Sequence, residues 1–259
     1  MSSTKGTALV TGASSGIGEA IARKFASEGY DLIISARREE RLRELADSLD
    51  VRCDIVVADL GDPAGAASLI EQVEALDVPV DILVNNAGIA TNNAFVDTDQ
   101  ADIDNMMTLN MMALTRLTRH FAGLMATRGV GRVLNVASVA GFQPVPSMSL
   151  YAATKAFVIS LTEGLSEELR DRGVYLTALC PGLTKTEMVD DLPNASALPP
   201  MAVSTAEEVA REGFDAVMTR EVIRIPGILN QAAVTWAQHQ PRWVVRSLGG
   251  LFGRLSAPR

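Results

Sequence analysis

Thr11-Gly12-Ala13-Ser14-Ser15-Gly16-Ile17-Gly18 is the stretch whose reading decides the fold. A short apolar run, Thr7–Val10, leads into it, and a helical pattern over Gly16–Glu28 leaves it. A strand that passes through glycines into a helix offers free N–H groups and the helix dipole to an anion. The glycines permit the tight turn and let the backbone approach a pyrophosphate. The spacing is G-x3-G-x-G, not the commoner G-x-G-x-x-G, and the competing reading is an ordinary glycine-rich turn.

Outward from this turn, strands and helices alternate. Expected strands are Thr7–Val10, Asp31–Ser35, Asp54–Val57, Asp81–Val84, Arg132–Val136, Val174–Leu179 and Val222–Ile225. Expected helices are Gly16–Glu28, Glu39–Leu49, Ala64–Leu76, Ala101–Thr127, Tyr151–Asp171 and Thr205–Met218. Continuously apolar strands separated by helices indicate a parallel sheet covered on both faces. Right-handed crossovers then give a single-domain, doubly wound α/β Rossmann fold of about seven strands. Residues 1–259 are read as one unit. Asn85–Gln100 reads as a polar loop. Gly182–Ser204, with Pro193, Pro199 and Pro200, reads as a long insertion, and loops of that length are commonly functional.

Composition narrows the partners. The chain has 259 residues and a net charge of −8, which speaks against nucleic acid. Cys53 and Cys180 are far apart and the histidines are only His120 and His239, so structural-zinc spacing is absent and no metal is expected. The thiols read as reduced and mostly buried. No signal peptide or transmembrane segment is visible, and a cytoplasmic protein is expected. The tail after Pro241 carries Arg242, Arg246, Arg254 and Arg259 without an acid. Its apolar residues Val244, Leu248, Leu251, Phe252 and Leu255 fall at helical spacing. That stripe is expected to pack on its own subunit or a neighbour, with a membrane surface as the alternative.

The second strand ends Ser35-Ala36-Arg37-Arg38, with no acid before Glu39. An acid there would bind the ribose hydroxyls of NAD, whereas Arg37, with Arg38, suits a ribose 2′-phosphate. NADP(H) is therefore expected. The competing reading is a solvated helix start neutralised by Glu39 and Glu40.

Further motifs follow in order: Asp59 and Leu60, Asn85-Asn86-Ala87-Gly88, Asn110, Ser138, Tyr151-x3-Lys155, and Pro181-Gly182-Leu183-Thr184-Lys185-Thr186. Tyr151 and Lys155 share a helix face. A nearby ammonium is expected to lower the phenol's pKa towards a working range. Asn110 is an unusual occupant of a long apolar helix, which suggests a specific task. Ser138 follows the fifth strand at its carboxyl end, the ligand-binding edge of such sheets.

From residue 7 to about 225, this ordered set resembles the short-chain dehydrogenase/reductase family in its single-domain form. The resemblance implies hydride transfer between nicotinamide and a carbonyl or secondary alcohol. It implies that Tyr151 is the acid–base group, that Ser138 donates to the substrate oxygen, that Lys155 also binds the nicotinamide ribose, and that Asn110 holds a proton-relaying water. It places Asn86, Ala87 and Gly88 along the cofactor, Asp59 and Leu60 at the adenine, and Thr184 and Thr186 at the carboxamide. A pocket of Phe142, Val145, Met148, Met188, Val189 and Leu192 beside Ser138 and Tyr151 suggests a lipophilic or aromatic ketone. The segment 183–204 would be the substrate-binding loop and 226–259 a C-terminal extension. Helices 101–127 and 151–171 would pair in a homodimer or homotetramer, and His120 is read as a partly buried helix residue. Alternatives are a 3-oxoacyl-thioester reductase, for which the acidic charge offers no carrier-docking patch, and a non-catalytic NADP-binding regulator.

Overall fold

A computed structural model describes residues 4–185 and 203–247. Seven strands form one parallel sheet in the order β3-β2-β1-β4-β5-β6-β7. They are β1 (Thr7–Thr11), β2 (Asp31–Ala36), β3 (Cys53–Val57), β4 (Ile82–Asn85), β5 (Gly131–Val136), β6 (Val174–Leu179) and β7 (Ile223–Arg224). The helices are α1 (Gly16–Ser27), α2 (Glu39–Asp47), α3 (Gly65–Glu74), α4 (Gln100–Met107), α5 (Leu114–Arg128), α6 (Ser149–Arg170), α7 (Ala206–Thr219) and α8 (Ile228–Gln238).

Both faces of the sheet are buried, which is why its strands read as unbroken apolar runs. Ala8 and Val10 point to one core, with Ile21 and Phe25 of α1, Leu42 of α2, and Val209 and Val217 of α7. Leu9 points to the other, with Leu69 and Val73 of α3 and Leu117, Phe121 and Met125 of α5. Phe25, Tyr30 and Phe214 lock α1 to α7 through edge-to-face contacts with centroids 5.0–6.3 Å apart. Thr205 and Glu208 form a capping box that starts α7.

The strand order reverses between β1 and β4, and a crevice opens at their carboxyl ends. A buried polar chain holds that edge together. Asn85 Nδ2 donates to Thr118 Oγ1 and Asn135 Oδ1, and Asn135 Nδ2 donates to Thr162 Oγ1, each at 2.9 Å. It ties β4 and β5 to α5 and α6.

Two expectations are corrected. The helix expected over Ala101–Thr127 is broken by a π-helical turn, Thr108–Ala113, between α4 and α5. The extra residue per turn lies where Asn110 must reach sideways, and such turns recur at functional sites. Beyond residue 226, where no helix was expected before the tail, α8 forms. The candidates Thr186, Met188, Val189 and Leu192, and the tail residues Leu248, Leu251, Phe252 and Leu255, lie outside the described residues. The ends of the expected substrate loop meet, because Lys185 N–H donates to the Ser204 carbonyl and Ser204 N–H to the Leu183 carbonyl. No described helix is long and apolar enough to cross a membrane.

Replacing Asn135 by Ala should cost about 2–4 kcal/mol, since buried partners lose their bonds and a small cavity opens. Urea unfolding of Asn135→Ala, with an unchanged m-value, is the check.

Candidate active site

The glycine turn is built by close approach. Gly12 (φ +66°) and Gly16 (φ +58°) occupy the left-handed region. A Cβ on Gly18 would stand 2.2 Å from the Gly12 carbonyl oxygen and 2.3 Å from Asn86 Nδ2. Thr11 Oγ1 accepts from the Asn86 and Ala87 N–H groups, and Asn86 Nδ2 donates back to the Thr11 and Gly12 carbonyls. The β4 loop thus fixes the turn from behind. Ser15, the residue before α1, makes no side-chain cap, so the first-turn amides are not closed off by their own cap. This cradle fits a pyrophosphate.

The flank of the cradle is basic. Arg38 donates through Nε to Ser14 Oγ at 3.2 Å and through Nη2 to Ser15 Oγ at 2.6 Å. Arg37 lies 3.8 Å from Asp59, whose other oxygen accepts from Gly61 N–H. Glu39, read as a possible neutraliser of the arginines, pairs with Arg43. The guanidinium that borders the turn is therefore Arg38, with Arg37 bridging towards Asp59. Leu60 is buried beside Asp59.

Ser138, Tyr151, Lys155 and Asn110 converge on the crevice. Ser138 caps the short turn Val139–Phe142, accepting from Ala140 N–H at 3.1 Å. Its hydroxyl donates to the Pro181 carbonyl at 3.5 Å and lies near enough to the Tyr151 phenol to oppose the upward push of burial on it. Lys155 is 6% exposed, donates to the Val136 carbonyl at 2.8 Å and stands 5.7 Å from the Tyr151 ring centroid. Gly141 lets α6 pack on the Ser138 turn, because a Cβ there would meet the Lys155 carbonyl carbon at 2.8 Å. A Cβ on Gly88 would lie 3.5 Å from Lys155 Nζ and 3.2 Å from Asn110 Oδ1, so the β4 loop reaches the same point.

Asn110 satisfies all its near bonds within the protein. Nδ2 donates to the Ile89 carbonyl at 2.9 Å and to Thr154 Oγ1 at 3.1 Å, and Oδ1 accepts from Ile89 N–H at 3.0 Å. It staples the β4 loop to α6 one residue before Lys155.

The electrostatics correct one expectation. The Tyr151 phenol is pushed up by burial, with the nearby Ser138 hydroxyl opposing, rather than lowered by Lys155. Burial lowers the Lys155 ammonium to about 8. Cys180, unremarkable in the sequence, is buried beside Lys155, and burial raises its thiol to about 12. The other thiol, Cys53, is free and partly buried.

On the substrate side the picture is mixed. Phe142 packs against the cluster of Leu114, Val158, Ile159 and Cys180. Val145 is partly buried. Met148 shares a small crevice with Thr91, Asn93 and Phe95, residues of the β4 loop that the sequence had not singled out. Pro181 is buried, and the Gly182 backbone abuts the Asn230 amide of α8, where a Cβ would sit 2.5 Å away. Thr184 Oγ1 donates to the Gly182 carbonyl. His120 sits at a distance from all of this, 3.2 Å from Glu74. Among the described residues no cluster of His, Cys, Asp or Glu is arranged to hold a metal.

A phenol and a hydroxyl beside a buried ammonium, next to a glycine-turn cradle, are the equipment of a nicotinamide-dependent oxidoreductase. The family model for short chain dehydrogenase matches residues 6–197, and the chain belongs to that family. A short-chain dehydrogenase from Sphingobium yanoikuyae, solved in complex with NADPH, is 36% identical, with TM-score 0.81 over 98% of this chain and 96% of that one. The bulky-bulky ketone specific alcohol dehydrogenase of Comamonas testosteroni is 32% identical, with TM-score 0.77 over 93% and 96%. A family member from Burkholderia phymatum, solved with NAD, is 29% identical, with TM-score 0.78 over 90% and 92%.

The buried lysine gives a signed test. Between pH 8 and 10.5 the unfolded chain keeps a proton that folded Lys155 has released, so this group makes stability rise with pH in that window. The stability of the wild type relative to Lys155→Met should grow by about 2–3 kcal/mol from pH 7.5 to 10. Parallel denaturant titrations across that range are the measurement.

Proposed function

We propose that this chain is an NADP(H)-dependent oxidoreductase that reduces a lipophilic or aromatic ketone to its secondary alcohol. The observation that carries the reading is the buried Lys155 ammonium, held by the Val136 carbonyl and 5.7 Å from the Tyr151 ring, beside Ser138 at the end of β5. Tyr151 and Ser138 meet at one point, where a carbonyl oxygen could accept from both. Ser138 donates to that oxygen and stabilises the charge that develops on it. Tyr151, whose phenol burial pushes up from its ordinary value, gives its proton to the same oxygen. Lys155 supplies positive charge to the phenolate that is left, which favours the transfer. Asn110 keeps the β4 loop and α6 in register around Lys155, and a water there would return the proton.

The cofactor's part is hydride donation when bound. The pyrophosphate would lie on Gly12, Ser14, Ser15, Gly16, Ile17 and Gly18. Asn86, Ala87, Gly88 and Lys155 would hold the riboses, and Pro181, Gly182, Thr184 and Thr186 the carboxamide. Arg38 and Arg37 would take a 2′-phosphate, which is what favours NADP(H) over NAD(H). The Sphingobium relative's NADPH agrees with that choice, whereas the Burkholderia relative's NAD makes it a matter for measurement. The Comamonas relative's name and the apolar Phe142, Val145 and Met148 favour a bulky ketone. A groove of about 640 Å³ between α5 and α6, lined by Leu124, Leu161, Leu165 and Leu169, supports pairing of two copies through these helices.

NADPH consumption against a panel of aryl and alicyclic ketones tests the reading. Tyr151→Phe should lower kcat by about 10²–10⁴-fold while NADPH binding persists. The double change Arg37→Asp/Arg38→Asp should move preference towards NADH. A wild type that uses NADPH and NADH equally would sink the cofactor assignment.

A further inference from the structure

Helix α8 presents apolar residues on its outer face as well as on its buried one. Asn230 donates to the Pro226 carbonyl and Gln231 to the Ile225 carbonyl, both at 2.9 Å, while Thr235 and Gln238 are exposed along one flank. Val234 and Ala237 are its buried residues. Its outer face carries Ile228, Leu229, Ala232, Ala233 and Trp236, and no residue of the helix is charged. Ile228 is 83% exposed, Leu229 58% and Trp236 50%. Trp243, in the helical turn 242–247 that follows, is 64% exposed. A water-facing helix surface is normally polar, and a contiguous exposed apolar face marks an interaction site.

Charge selects the partner. After Glu221 the chain contains no Asp or Glu, but has Arg224, Arg242, Arg246, Arg254 and Arg259. The whole acidic excess lies in the preceding residues. Arg224 is committed to Glu212 and Glu221. Arg242 and Arg246 are exposed on either side of Trp243. A second copy docked face to face would set these arginines against their own kind. An anionic lipid surface meets both features: tryptophans settle at headgroup level and arginines pair with lipid phosphates.

We propose that the outer face of α8 and the 242–247 turn dock this protein reversibly on an anionic lipid bilayer. The face adjoins the candidate active site. The Asn230 amide abuts Gly182, and α8 packs on the Val139–Phe142 turn behind Ser138. Docking there would bring the crevice to the surface where lipophilic compounds concentrate. The proposal stands without the catalytic reading and is tested without turnover.

Trp236 and Trp243 are the only tryptophans in the chain, so intrinsic emission reports this face alone. The full-length chain is floated with vesicles of phosphatidylcholine, with or without phosphatidylglycerol. The proposal expects flotation with the anionic vesicles, a blue shift of emission on binding, and weakening of both by salt. Arg242→Glu/Arg246→Glu should cut partitioning at least about ten-fold, with the circular dichroism spectrum unchanged. Leu229→Ser/Trp236→Ser should cut it as well. The proposal is overturned if anionic vesicles bind nothing, or if charge reversal leaves partitioning intact. It is equally overturned if emission is already blue-shifted without lipid and Ile228→Ser splits an oligomer, since a second copy then covers the face.

Discussion

The buried ammonium of Lys155 is the constraint on which the site depends. An unpaired charge in a protein interior is costly, and no described carboxylate pairs with this one. Its neighbours are the Val136 carbonyl, the face of the Tyr151 ring, the Cys180 thiol and the Gly88 loop. Each is delivered by a different element: the end of β5, α6 itself, the end of β6, and the loop after β4. The position can exist only because the carboxyl ends of these strands are aligned by a parallel sheet. Displacing any one element would leave the charge with less compensation still.

That alignment is enforced from two directions. The amide chain Asn85–Asn135–Thr162 binds the two central strands to the helix bearing Lys155. The π-helical turn carries Asn110 sideways to staple the β4 loop to Thr154. The glycine turn is fixed from the same loop through Asn86. One loop therefore registers the glycine turn and the Ser138–Tyr151–Lys155 cluster against each other. Under the proposed carbonyl reduction a hydride donor and a proton donor would have to be held in fixed relation, and this loop would supply it.

Much of this was legible in the sequence because it depends on period and on residue type. Strands buried on both faces read as apolar runs, so all seven were placed to within a residue or two. Gly12, Gly16 and Gly18 signalled a turn that only glycine can make. Three things were not legible. The π-helical turn leaves no mark in an apolar helical pattern, since one residue's slip in phase looks like a long helix. The upward push on Tyr151 depends on burial, which Tyr-x3-Lys spacing does not encode. Helix α8 was missed because apolar residues lie on its exposed face as well as its buried one, so no apolar stripe at helical spacing stands out from a polar background. That Arg38 rather than Arg37 borders the turn is likewise a matter of side-chain direction at the start of α2.

The pH dependence of kcat/KM in both directions tests the central claim most directly. If Tyr151 and Lys155 work as one acid–base unit, ketone reduction with NADPH falls as pH rises through about 8, where the buried ammonium loses its proton. Oxidation of the corresponding alcohol with NADP⁺ should rise over the range in which the phenol must accept a proton. Profiles that are flat in both directions between pH 6 and 10, as set by the experiment's buffers, would contradict the account.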